Sequence, residues 1–163
     1  MTALVIHALP VLRGILAISA LPGAGGDYDA DLAHLHDWRP ALVLTLTTMS
    51  EMVAADAGDL GPDIMHIGTR WVHLPVADYG VPDAADNAKW RRAVADALPA
   101  LRGGGRVLIH CKGGCGRAGM AALRLMIAAG EAPDAALARL RAVRPCAVET
   151  KAQMRWALQG GAE

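Results

Sequence analysis

The stretch Arg106 to Met120, RVLIHCKGGCGRAGM, constrains the fold more than any other part of the chain. It opens with a Val-, Leu- and Ile-rich run ending at His110, passes through a Gly-rich turn, and enters a run of helix formers, AGMAALRLMIAA, after Arg117. The pattern predicts strand, loop, helix. Gly113, Gly114 and Gly116 free the loop to take unusual dihedrals, so that successive backbone N–H groups can converge as an anion nest at the helix N-terminus. With Lys112 and Cys115 between them, residues 112–116 make a candidate phosphate cradle. Cys111 stands at its foot, where the helix dipole and aligned N–H groups favour a negatively charged sulfur. Arg117 closes the loop with a planar fork able to hold two oxygens of a tetrahedral oxyanion.

A chain of 163 residues is long enough for a single domain, 1–163, with a substantial core. Sixteen basic and sixteen acidic residues cancel, so no global charge favours nucleic acid or an anionic membrane, and any anion site must be local. Cys111, Cys115 and Cys146 are an odd number with no obvious disulfide framework, which points to a reducing, cytoplasmic setting. C-x3-C spacing is poor for zinc, and no metal or organic cofactor is expected. The apolar N-terminus, MTALVIHALPVLRGILAISA, has no charged leading region, and Arg13 interrupts it well short of the roughly 18 residues of a membrane span. Abundant alanine and the absence of phenylalanine suggest a bacterial, high-GC source.

Taken in order, Ala3–Leu9 and Gly14–Ser19 read as strands divided by Pro10, and Asp27–Trp38 as an amphipathic helix. Ala41–Thr47, ALVLTLT, reads as a buried strand, followed by a short helix through Ala55 capped by Ser50. A loop with Gly58, Gly61 and Pro62 comes next. Arg70–Pro75 is a strand leading to Asp78, Pro82–Leu101 a long helix, and Pro133–Val143 and Glu149–Leu158 two more. Strands alternating with helices predict an α/β sandwich with a central, mostly parallel sheet of about five strands flanked by helices. Ligands of such sheets lie beyond the carboxyl ends of the strands, where Cys111 falls.

His110-Cys111, five residues and Arg117 resemble the signature of the cysteine-dependent protein-tyrosine and dual-specificity phosphatases. Leu21–Gly23 (LPG), Val72–Asp83 (VHLPVADYGVPD) and the last helical stretch with Thr150 and Gln153 look most like the small kinase-associated type. The resemblance implies a phosphocysteine intermediate on Cys111, with Asp78 as proton donor to the leaving oxygen and Arg117 and the cradle holding the phosphate. It also implies that His110 orders the loop from outside the substrate site, that Gln153 is a candidate for positioning water, and that the substrate is a phosphorylated protein. Asp83, the rival acid, suits a helix start better. The chain departs from the family pattern at Ala118, where many members carry a hydroxyl that helps the thiolate leave, and at Glu149, whose carboxylate would repel a dianion unless it caps the last helix. Those departures keep a phosphoprotein-binding pseudophosphatase as the alternative. A sulfurtransferase or arsenate reductase use of the loop is disfavoured by Asp78. Cys115 invites disulfide rescue of oxidised Cys111, against the plainer reading of a small side chain among glycines.

Overall fold

The computed structural model describes residues 2–162. Five strands form one sheet: β1 (His7–Val11), β2 (Gly14–Ser19), β3 (Leu42–Thr45), β4 (Arg70–His73) and β5 (Arg106–His110). The spatial order is β1-β2-β5-β3-β4; β1 and β2 form an antiparallel hairpin, and β2, β5, β3 and β4 run parallel. Seven helices cover it: α1 (Tyr28–Trp38), α2 (Met49–Ala54), α3 (Leu60–His66), α4 (Asn87–Arg102), α5 (Gly116–Ala128), α6 (Pro133–Val143) and α7 (Lys151–Leu158). The expected sandwich is present, with β5 at its centre.

Side chains alternate across β5 as a strand dictates. Val107, Ile109 and, beyond the strand, Cys111 join the core under α4 to α7, whereas Leu108 joins the core under α1 to α3. Both faces are buried, which is why the strand reads as a continuous apolar run. Helix α5 is buried nearly all round, from Gly116 to Leu123 without a break. Its small residues make that possible: a Cβ on Gly119 would lie 2.5 Å from the backbone nitrogen of Val148.

Several elements differ from the sequence reading. The first strand begins at His7, because Thr2 N–H donates to the Gly25 carbonyl and Leu4 N–H to the buried Asp31 carboxylate instead of to a ladder. Pro10 lies inside β1, which is tolerable on an edge strand. The cap of α2 is Thr48 rather than Ser50, in a reciprocal capping box with Glu51. The expected loop around Gly61 and Pro62 is α3; Pro62 falls in the first turn, where its missing N–H costs nothing, and Gly61 leaves room for the Trp71 ring, 2.5 Å from where its Cβ would stand. Contacts across the sheet overrode local punctuation there.

Gly119→Ala should destabilise the fold, since overpacking at about 1–3 kcal/mol outweighs the roughly 1 kcal/mol that alanine gains over glycine in a helix. Urea unfolding checks this; an unchanged or higher midpoint would mean α5 does not approach residues 147–148 so closely.

Candidate active site

The loop between β5 and α5 is shaped by what its carbonyls do. The Cys111 oxygen faces His110 Nδ1 at 3.2 Å, and the Lys112 oxygen accepts from Leu21 N–H at 3.0 Å. Arg144 donates to the Gly113 oxygen at 2.9 Å and to the Gly114 oxygen at 3.1 Å, and the Cys115 oxygen accepts from Gly119 N–H and Val148 N–H. In a planar trans peptide the C=O and the following N–H point in opposite directions. With every carbonyl from Cys111 to Cys115 bonded outward, the N–H groups of Lys112, Gly113, Gly114, Cys115 and Gly116 turn to the other side, and none has a protein acceptor among the described residues. They form a concave row of donors at the N-terminus of α5, the geometry of an anion nest.

Only one cradle glycine is required for its dihedrals. Gly114 has φ +72°, and a Cβ there would lie 2.6 Å from the Ser19 backbone. Gly116 is crowded by Glu149 Oε1 and the Gln153 amide, whereas a Cβ on Gly113 would meet nothing within 4 Å.

Cys111 is buried and unpaired by any disulfide. Cys115 is bonded to Cys146, with Cα atoms 5.2 Å apart. This corrects both readings of Cys115 and the expectation that the cysteines stay apart: it is neither a partner for Cys111 nor a passive small residue, but a staple from the cradle to the turn after α6. Sequence could not pair residues 31 positions apart. With two of three cysteines joined, cysteine usage no longer argues for a reducing compartment. No helix is long and apolar enough to cross a membrane among the described residues.

Arg117 is almost fully buried, and its fork is divided among several acceptors. Nη1 and Nη2 donate to the two Glu51 oxygens at 2.7 and 2.8 Å, Nη1 also donates to the Val76 carbonyl at 2.9 Å, and Nη2 lies 3.3 Å from Asp78 Oδ1. The edge carrying Nε and the outer Nη2 proton is what remains for a ligand. Burial alone would lower the Arg117 pKa, but its hydrogen bonds to Glu51 and the charges of Cys111, Glu51 and Asp78 raise it overall. Glu51 is held in turn: hydrogen bonds from Arg117, opposed by partial burial and aided by Thr48, bring its pKa down to about 2. The Ser50 reading missed Thr48 and Glu51, although their spacing is that of a capping box; that the same carboxylate clamps Arg117 left no signal at all, because the two residues are 66 positions apart.

Asp78 is half exposed, in a turn closed by Gly80 N–H on the Ala77 carbonyl, and its carboxylate accepts from Tyr79 N–H at 3.0 Å. The structure therefore brings Asp78, Arg117 and the Cys111 loop together. Asp83 precedes the short 3-10 turn Ala84–Asp86 without a side-chain cap bond. Gln153 is buried beside the cradle, but much of its amide is committed: Oε1 accepts from Glu149 N–H and Thr150 N–H, and Nε2 donates to the Gly80 carbonyl. It ties α7 to the Asp78 turn. The cap of α7 is Thr150, not Glu149, whose carboxylate instead lies against Gly116. Lys112 is exposed at the rim, and Ala118 is buried.

His110 is buried, with Nε2 2.7 Å from Thr45 Oγ1. Burial, opposed by the bond to Cys111 and reinforced by the charges of His73 and Arg117, pushes its pKa down to about 4, so the ring is neutral near pH 7.

A mostly parallel five-stranded sheet between helices, with a strand–cradle–helix carrying Cys111 and Arg117, defines the cysteine-phosphatase class of fold. The family model described as the Swiss Army Knife protein, DSP-PTPase phosphatase domain, matches residues 24–157, and the chain belongs to that family. No curated protein matches it by sequence. Among solved structures it is similar to a kinase associated phosphatase whose catalytic-site cysteine is replaced by serine (TM-score 0.85, 23% identity, 98% of this chain and 94% of that one). It is also similar to Tk-PTP in its active form (0.70, 26%, 91% and 92%) and to PTPMT1 in complex with PI(5)P (0.68, 18%, 94% and 93%).

Two variants test the site. The Glu51 pKa is lowered on folding, so its contribution to stability is full above about pH 4.3, the ordinary glutamate value, and is lost as pH falls through about 2. Wild type should therefore lose more stability than Glu51→Gln across that window; parallel acid-unfolding curves would remove the pair. Arg144→Met should weaken inorganic vanadate binding by about 10-fold or more, since charge-assisted bonds to two cradle carbonyls are lost. Calorimetry showing equal affinity would mean that the loop holds its shape without them.

Proposed function

We propose that the chain hydrolyses phosphate monoesters on protein side chains through a phosphocysteine intermediate. The observation that carries this reading is the row of outward-bonded carbonyls above Cys111, which leaves five N–H groups and one edge of Arg117 facing the same space. Those donors match the equatorial oxygens of a phosphoryl group in transfer.

In the free protein Asp78 rests on the Nη2 group that an incoming phosphate would take. Binding displaces the carboxyl towards the leaving oxygen. The Cys111 sulfur attacks phosphorus; the S–P bond forms as the P–O bond to the side chain breaks, and protonated Asp78 delivers its proton to that oxygen. Water then attacks phosphorus with its proton passing to the Asp78 carboxylate, the P–S bond breaks, and inorganic phosphate leaves. With Ala118 after the loop arginine, no hydroxyl there assists the departing thiolate, so the second step is slow. Gln153 serves this cycle by holding the Asp78 turn through Gly80, with a remaining Nε2 proton free to orient the water. The rim supports a protein substrate: Tyr79 is 63% exposed beside Asp78, and Met49 and Val53 are exposed on α2, the helix that supplies Glu51. A phosphoinositide headgroup would call for more cations than Lys112.

Hydrolysis of p-nitrophenyl phosphate with excess chelator tests the reading. Wild type should show a burst of one equivalent and a slower steady phase; Cys111→Ser should show neither, Asp78→Asn should fall about 10²–10⁴-fold, and Ala118→Ser should speed the steady phase. A phosphotyrosyl peptide should be turned over faster than a short-chain phosphoinositide. If wild type releases no nitrophenol and no phosphate from the peptide yet binds it, the chain is a phosphoprotein-binding module instead.

A further inference from the structure

Thr45 pairs with His110 across β3 and β5, and with His73 across β3 and β4, so residues of three strands meet on the face covered by α1 to α3. Trp71, two residues before His73 on the outermost strand, donates its indole N–H to Thr45 Oγ1 at 2.7 Å. The same oxygen is 2.7 Å from His110 Nε2, and His110 Nδ1 is 3.2 Å from the Cys111 carbonyl. The proton positions along this line follow from donor and acceptor capacity alone. An indole N–H can only donate and a carbonyl can only accept, so Nδ1 of a neutral His110 must carry its ring proton. Nε2 is then bare and must accept, and the hydroxyl next to it is that of Thr45, whose oxygen is already receiving the indole proton. The line therefore runs one way, from Trp71 through Thr45 and His110 to the Cys111 oxygen.

We propose that Trp71 and Thr45 are positioning residues of the cradle: by fixing His110 in the Nδ1–H tautomer they hold the Cys111 carbonyl outward and so turn the Lys112 N–H into the anion site. The Trp71 ring is itself held, stacked on His73 with centroids 5.3 Å apart and lying over Gly61 of α3. His73 is fixed by its Nε2, 2.7 Å from the Thr47 carbonyl. The position of the outermost strand is thereby transmitted across β3 to the loop on β5. Were the Thr45 hydroxyl free to turn, it could accept from Nε2 instead; the ring would then present a bare Nδ1 to the Cys111 carbonyl, two acceptors face to face.

This builds on the proposed phosphatase site, and its test needs no turnover. Long-range ¹⁵N–¹H spectra of His110 in wild type should show Nδ1 protonated and Nε2 bare; the opposite pattern would overturn the relay. Trp71→Phe deletes the donor together with the outer ring atoms over Gly61, so a second His110 tautomer, which lost packing alone would not produce, should appear and calorimetric affinity for inorganic vanadate should drop about 2- to 10-fold, the scale of one hydrogen bond. Thr45→Val should lose at least as much, Thr45→Ser should recover it, and Trp71→Phe should cost nothing further in the Thr45→Val background, because the two act in series. Additive losses, or wild-type affinity in Trp71→Phe, would overturn the proposal. Failure of wild type to hydrolyse any phosphate ester would count against the phosphatase reading, while the tautomer spectra would judge the relay separately.

Discussion

The row of N–H donors at the start of α5 depends on where five consecutive carbonyls are sent. A loop of N–H groups converging on one point is repulsive to build, since their partial charges are alike, and it persists only if each carbonyl behind them has a partner. Here the partners are five residues: His110 through its imidazole, Arg144 through its guanidinium, and Leu21, Gly119 of α5 and Val148 through their backbone N–H groups. The disulfide from Cys115 to Cys146 adds a covalent tie to the same turn that carries Arg144. Strand end, the loop between β2 and α1, inter-helix turn and helix thus converge on one loop, and the mostly parallel sheet is the frame that brings them there.

Charge is handled with similar economy. Arg117 is buried with a bidentate carboxylate and a carbonyl, so its guanidinium is already oriented before any ligand arrives. A single unpaired cation at that depth would be expensive; paired with Glu51 it leaves one donor edge towards the cradle. Asp78 lies against that edge from a half-exposed turn that Gln153 holds through Gly80. On the proposed reading, a phosphate taking that edge would move Asp78 aside without any change in the sheet.

The cradle, its cysteine and its arginine were legible in the chain because they are local: strand periodicity, a Gly-rich turn and a helix start lie within fifteen residues, and each is a short-range steric or electrostatic demand. Asp78 was chosen through resemblance of the VADYGVPD stretch, and the fold sets it beside Arg117. Misplaced boundaries at Pro10 and at Gly61–Pro62 came from reading turn residues as breaks where an edge strand and a helix's first turn tolerate them. Glu149 was read as a cap, a role Thr150 takes, since a hydroxyl at that position closes a capping box with Gln153.

By itself, then, the sequence determined an α/β fold with a cysteine-footed anion loop at a strand end, because short-range patterning and backbone freedom carry that information. Only the tertiary structure decided how the loop is held: Glu51 on Arg117, Arg144 on the cradle carbonyls, Cys146 on Cys115, and Trp71 and Thr45 behind His110. Those partners are brought together by strand order and helix packing, and a hydrogen bond or disulfide between residues tens of positions apart leaves no periodicity in the chain to read.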